Sequence, residues 1–175
     1  MSFARLERWT VTSGSNVNSR AAVVIRAGGH DWKASAEGNG AVDALYRAVD
    51  RALADILGGH PLLLAYDVHA LAEGPAAEGR VTVRIAPPVS APGSRGDGRY
   101  TAEASSTNTI AASVEAYVAA LNAMLASEAW AGVPEAAARV AAARRARARG
   151  TDAGAGDAEF DDAARPIDTT EWFNR

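Results

Sequence analysis

No cysteine occurs in the 175-residue chain, which excludes disulfides, thiolate metal sites and thiol catalysis. No apolar run is long enough to span a bilayer. The opening Met1-Ser2-Phe3-Ala4-Arg5-Leu6-Glu7-Arg8 is charged and unlike a signal peptide. An excess of charge of one sign is also missing, and a formal charge of −3 exerts no general pull toward nucleic acid or anionic membranes. Neither a Gly-x-Ser-x-Gly nucleophile elbow nor a Gly-Lys-Ser/Thr phosphate loop is present. His30, His60 and His69 stand alone and read as surface or turn residues rather than metal ligands. These absences predict a cytoplasmic chain that is not an enzyme, carries no metal or cofactor, and engages neither nucleic acid nor membrane.

The chain does contain an internal repeat. Leu6, Trp9 and Val11 answer to Leu63, Tyr66 and Val68. The run Arg20-Ala21-Ala22-Val23-Val24-Ile25 answers to Arg80-Val81-Thr82-Val83-Arg84-Ile85. Asp31-Trp32-Lys33-Ala34-Ser35-Ala36 answers to Arg99-Tyr100-Thr101-Ala102-Glu103-Ala104. Short β-branched or alternating runs of this kind predict strands, and each unit then enters a helix. The second unit carries extra residues from Pro87 to Gly98, whose Pro and Gly predict a longer hairpin loop. The predicted fold is α+β: two tandem βββα units over residues 5–59 and 61–127, related by a pseudo-twofold, with helices packed on antiparallel sheets.

In the first helix, Val42 to Leu57, the residues Val42, Leu45, Val49, Leu53 and Ile56 make one apolar stripe. Asp43, Arg47, Asp50, Arg51 and Asp55 fall on other faces, which predicts a half-solvated helix ended by Gly58-Gly59. The second helix, Thr109 to Ser127, is mostly Ala with Glu115 as its one charge after Ile110. So little polar surface predicts cover on more than one side, and a second subunit would supply it in a homodimer.

The core domain is predicted to end near residue 127. Residues 128–175 read as an Ala- and Arg-rich helix from Pro134 to Arg149, stopped by Gly150, then a flexible acidic tail. Val140 is that helix's main apolar anchor. The arginines at 144, 145, 147 and 149 read as a solvated face, or as partners of Asp161-Asp162. The closing segment from Pro166 to Arg175 holds Trp172 and Phe173, and is expected to dock on the domain or on a partner.

Gly38-Asn39-Gly40-Ala41-Val42-Asp43-Ala44-Leu45 joins a strand to a helix N-terminus, where free amides and the helix dipole favour a carboxylate. A tight strand-to-helix turn wants the same glycines. In the second unit Ser105-Ser106-Thr107-Asn108 offers helix caps. Two such loops facing one pocket would suit an amino acid, with its side chain among apolar residues.

The Gly38 to Ala48 segment and the Ile110-Ala111-Ala112-Ser113 helix start, in this order, resemble the two signatures of a known family. It is the C-terminal regulatory (allosteric, dimerisation) domain of 2-isopropylmalate synthase, also found in citramalate synthases. The resemblance covers roughly Leu6 to Leu125. It implies a leucine-binding pocket at a dimer interface between the units, damping a catalytic barrel elsewhere in the same polypeptide. Carried over by position, the pocket is Gly38, Gly40, Val42 and Asp43 from the first turn. Leu63, Tyr66, Ala70 and Ala77 join it from the second unit's first strand and following loop, and Ile110 from the second helix. Ala41 stands where the family has Pro, and the loop from Leu71 to Ala77 departs from the family's acidic pattern, which leaves the ligand's identity open. The barrel and its His-x-His metal pair are missing. Together these features describe a stand-alone, non-catalytic homodimer that senses leucine or a related branched-chain metabolite. It would act on a synthase or another protein through its tail. The alternative is a dimerisation scaffold with no ligand.

Overall fold

The β-branched runs and short turns form two three-stranded antiparallel sheets, each in sequential order. The computed structural model describes residues 3–89 and 98–148. Sheet A is β1 (Ala4–Gly14), β2 (Val17–Ala27) and β3 (His30–Gly38), followed by α1 (Ala41–Ala52) and a short α2 (Ala54–Leu57). Sheet B is β4 (Leu62–Ala70), β5 (Gly79–Ala86) and β6 (Tyr100–Ser106), followed by α3 (Thr109–Leu125). A 3₁₀ turn (Glu128–Trp130) and α4 (Val133–Ala148) complete the described chain. The α+β class and the βββα repeat are therefore as the sequence implies. The β2–β3 turn shows how locally this is encoded: Gly28 and Gly29 both have positive φ, 60° and 75°, as a two-residue hairpin turn demands.

Pleating sends Ala21, Val23 and Ile25 of β2 and Val81, Val83 and Ile85 of β5 inward, all fully buried. Leu45, Val49, Leu53 and Ile56 cover sheet A, and Val114, Leu121 and Met124 join the same core. The first helix does not run unbroken to Leu57. It breaks at Leu53, whose carbonyl accepts from both Ile56 and Leu57, and the left-handed Gly58 (φ 65°) ends the second piece.

Three expectations change. Asp50 is not on a solvated face; it is 8 % exposed, between α1 and α3. The second cover for the Ala-rich α3 comes from this chain itself. The helix packs on β5 and β6 and also meets α1 and β1, with Asn122 bonded to both the amide and carbonyl of Ala4. On α4, Val140 points to solvent, while Val133, Ala137 and Ala141 pack against the core. Past Ser127 the chain also inserts Trp130, fully buried. Arg144 pairs with Asp55 at 3.2 Å, and Arg145 donates to the Asp31 carbonyl at 3.3 Å. Gly150, the 151–164 linker, Asp161-Asp162, the 166–175 segment and positions 90–97 of the proline-rich loop lie outside the described residues.

Among the described residues no single helix is long and apolar enough to cross a membrane; the one pair that passes together is bent by 82°, and most of α3 within it is buried in the fold.

Candidate functional site

The glycines of the first turn have separate tasks. A Cβ on Gly38 would lie 2.5 Å from the Ala44 amide nitrogen and 2.6 Å from Asp43 Oδ2, so only glycine lets β3 run this close to α1. Gly40, the N-cap of α1, is extended (φ −158°) and a Cβ there would meet open space. Asp43 turns back on the loop. Its Oδ2 accepts from the Asn39 amide at 2.9 Å and its Oδ1 from Arg47 at 3.0 Å, and the Asn39 bond holds its pKa below the usual carboxylate value. No side chain caps the N-terminus of α1. The N-terminus of α3 is capped, because Asn108 Oδ1 accepts from the amides of Ile110 and Ala111 at 3.0 and 3.2 Å.

Two hydrogen bonds align the helices. Tyr46 donates to the Ser113 carbonyl at 3.2 Å, and Tyr117 donates to Asp50 Oδ1 at 2.6 Å. One turn forward on α1 corresponds to one turn forward on α3. The helices therefore run in the same sense, and their N-termini open at the same end. Tyr66 of β4 reaches this seam. Ser113 Oγ donates to the Thr109 carbonyl at 2.6 Å, so the Tyr66 hydroxyl donates to Ser113 Oγ at 2.8 Å. The Tyr66 ring also meets Tyr46 edge-on, with centroids 6.3 Å apart.

Of the sequence-nominated residues, Gly38, Gly40, Val42 and Asp43 thus form one turn, and Tyr66 joins α1 to α3, at whose start lies Ile110. Ala70 pairs with Gly79 at the end of β4, beside Thr109. Ala77 lies in the β4–β5 loop, its amide donating to the Gly74 carbonyl. Leu63 is at the other end of β4, beyond a bulge. Sequence reasoning missed Tyr46, Asp50, Ser113 and Tyr117. Their signal was a polar-bearing side chain repeated four residues on, once in each helix.

Asp50 has a further neighbour: His60 Nδ1 lies 3.5 Å from its Oδ2, with the imidazole out in solvent. Burial pushes the Asp50 carboxyl up to about 6, against the opposing influence of the Tyr117 bond and His60. A raised folded-state pKa means that this group's stabilisation is fully present below its unfolded value near 4 and lost as pH rises through about 6. Asn at this position keeps an acceptor for Tyr117 and cannot ionise. Asp50→Asn is expected to gain roughly 2–3 kcal/mol on the native protein between pH 4 and pH 8. Urea unfolding at several pH values checks this; parallel curves for the two proteins would refute it.

β4 is the exposed part of the fold. Leu63, Tyr66 and Val68 pair with Ile85, Val83 and Val81 and share their inward face, yet they are 45 %, 38 % and 44 % exposed. The equivalent residues of β1, Leu6, Trp9 and Val11, are packed against the core, and both α1 and α3 reach that strand. On β4 Tyr66 reaches Ser113 and Tyr46, whereas Leu63 and Val68 on the same face leave apolar surface of the core type in solvent.

Comparison with known proteins agrees with this architecture. Residues 2–125 match the family described as the LeuA allosteric (dimerisation) domain. Among related proteins, a 2-isopropylmalate synthase of Dechloromonas aromatica is 35 % identical over 112 residues, 64 % of this chain and 20 % of the relative. Another, from Methylobacterium nodulans, is 34 % identical over 70 % of this chain and 21 % of its own length. A third, from Microcystis aeruginosa, is 38 % identical over 67 % and 20 %. The chain thus spans about one fifth of the length of these relatives.

Proposed function

The chain belongs to the family of LeuA allosteric (dimerisation) domains, and from that premise we propose that it is a non-catalytic regulatory module. It binds leucine or a related branched-chain amino acid where two copies meet. One observation carries the proposal: the apolar residues of β4 continue the buried face of sheet B into solvent. A surface of that composition is stable in water when another surface covers it. A second copy covers it in this reading, with the two β4 strands facing each other across a twofold.

The effector's place follows from the same geometry. Its carboxylate sits at the uncapped N-terminus of α1, where amides and helix dipole favour an anion and Gly40 leaves open space. Its aliphatic side chain lies among Val42, Ile110 and Tyr66. The amides of Ile110 and Ala111 are taken by Asn108, so α1 rather than α3 receives the charge. In this reading the module acts on a synthase, in the same or another chain.

The test is a melting curve with leucine, isoleucine, valine and 2-oxo acids. A ligand at 100 times its dissociation constant adds ~2.7 kcal/mol, a rise of roughly 5–10 °C in Tm. Gly40→Phe abolishes the shift and lowers the basal Tm by no more than the loss of a glycine N-cap costs, about 1 kcal/mol, because the fold leaves that Cβ free of contacts. One observation favours a scaffold without a ligand: Asp43, Asn108, Ser113 and Tyr66 already satisfy one another or their own loops. No shift with any compound, from a protein that still forms dimers, would establish that second reading.

A further inference from the structure

The two central strands are composed differently. β5 alternates, Val81-Thr82-Val83-Arg84-Ile85, and its outward residues are polar. β2 is apolar without a break from Ala21 to Ile25. α1 lies over Ala21, Val23 and Ile25, yet Ala22 and Val24 on the opposite face are only 0 % and 6 % exposed. Ser35, paired with Ala22 across the sheet, shares that outer face and is 6 % exposed. A strand apolar on both sides belongs to a sheet covered on both sides.

On the rim of this outer face Arg8 and Lys33 flank Val24 in register, and Arg20 lies two residues before Ala22. Glu37 stands opposite Arg20, and Asp31 pairs with Arg26 at 2.8 Å, so the positive charge that stands in register with Val24 rather than with a carboxylate is that of Arg8 and Lys33. The chain beyond Ala148 has the complementary composition: residues 149–175 contain seven carboxylates against three arginines, with Phe160, Ile167, Trp172 and Phe173. It also leaves from the right place. Arg145, in the last turn of α4, is bonded to the Asp31 carbonyl on β3 of the same sheet. Adjacent strands are ~4.8 Å apart and an extended chain covers ~3.3 Å per residue, so about a dozen residues suffice to reach the middle of the sheet.

We propose that the C-terminal segment of this chain, residues 166–175, docks on the outer face of sheet A. Trp172 and Phe173 lie over Ala22 and Val24, and the carboxylates of the segment and its approach face Arg8 and Lys33. The domain then has its own second layer on sheet A, while the β4 face of sheet B stays available for association.

Hydrogen exchange on the full chain tests this. Amides of residues 166–173 should exchange at least about tenfold more slowly than in the same segment as a synthetic peptide. That protection should vanish in the Arg8→Glu/Lys33→Glu double variant and stay constant on dilution. Exchange at the free-peptide rate in the native chain would overturn the proposal, as would protection that survives charge reversal. Protection that falls on dilution would assign the segment to a second copy and overturn it equally. The absence of native cysteine provides an independent measurement. Thr10→Cys combined with Asn174→Cys should form an intramolecular disulfide faster than Thr82→Cys, on the outer face of sheet B, combined with Asn174→Cys. Equal rates would count against docking.

Discussion

Trp130→Ala is expected to destabilise the protein by about 3–5 kcal/mol, the range for removing a fully buried indole. A domain of this size has about 5–15 kcal/mol of stability in all, so the variant should be partly unfolded near body temperature. The cost arises from position. Trp130 leaves α3 through the short turn Glu128–Trp130 and fills the core, while Val133 and Ala137 of α4 pack against the same cluster. α4 is rich in Ala and has few large apolar side chains of its own, so its docking depends on the surface that Trp130 completes. Its ion pair with Asp55 is exposed and adds under about 1 kcal/mol. Trp130→Phe should cost much less than Trp130→Ala. The indole Nε1 has no hydrogen-bond partner among the described residues, so phenylalanine removes a buried unsatisfied donor along with part of the ring. Val140→Ala, on the solvent side of α4, should change stability by less than about 0.5 kcal/mol. Urea unfolding of the three variants checks the order; equal losses for Trp130→Ala and Val140→Ala would contradict it.

The same residues show what a sequence can and cannot reveal. Strand β5 was legible because Val81, Val83 and Ile85 alternate with polar residues, and α1 because Leu45, Val49 and Leu53 repeat at helical spacing. Those are local signals. Trp130 follows a helix end with no periodic companions, and its burial depends on α4 folding back. Asp50 carries a charge on a helix, which ordinarily means solvent; its burial depends on Tyr117, 67 residues away. For α3, the Ala-rich composition correctly implied cover on several sides, but composition does not say what provides it. Unit one supplies that cover, and the uncovered apolar surface lies on β4 instead. In the candidate site, the Gly-Asn-Gly pattern located the turn but could not separate Gly38, required by close packing, from Gly40, which the fold alone does not require.

That displacement of the exposed surface from α3 to β4 leads to the prediction with the largest effect on assembly. Leu63→Lys combined with Val68→Lys should convert the proposed β4-to-β4 dimer into a folded monomer. Both side chains are nearly half exposed and neither belongs to the buried core, so the protomer should keep its stability within about 1 kcal/mol. Across a twofold, the two substitutions place four ammonium groups in one interface. Each replaces an apolar side chain whose burial contributes about 1.5–3 kcal/mol and adds a charge without a partner. A loss of ~6 kcal/mol or more corresponds to at least about a 10⁴-fold weaker association. Asp67→Lys combined with His69→Lys is the control: these residues pair with Thr82 and Arg80 on the other face of the same strand, and the dimer should persist. Mass measured by light scattering over a concentration series separates the outcomes. A monomer for the first pair and a dimer for the second places the association on the inward face of β4. A dimer for both would move the interface off that face. The monomer also discriminates between effector models. A pocket completed by the second copy loses its leucine response together with the dimer, whereas a pocket built within one protomer between α1, α3 and Tyr66 retains it.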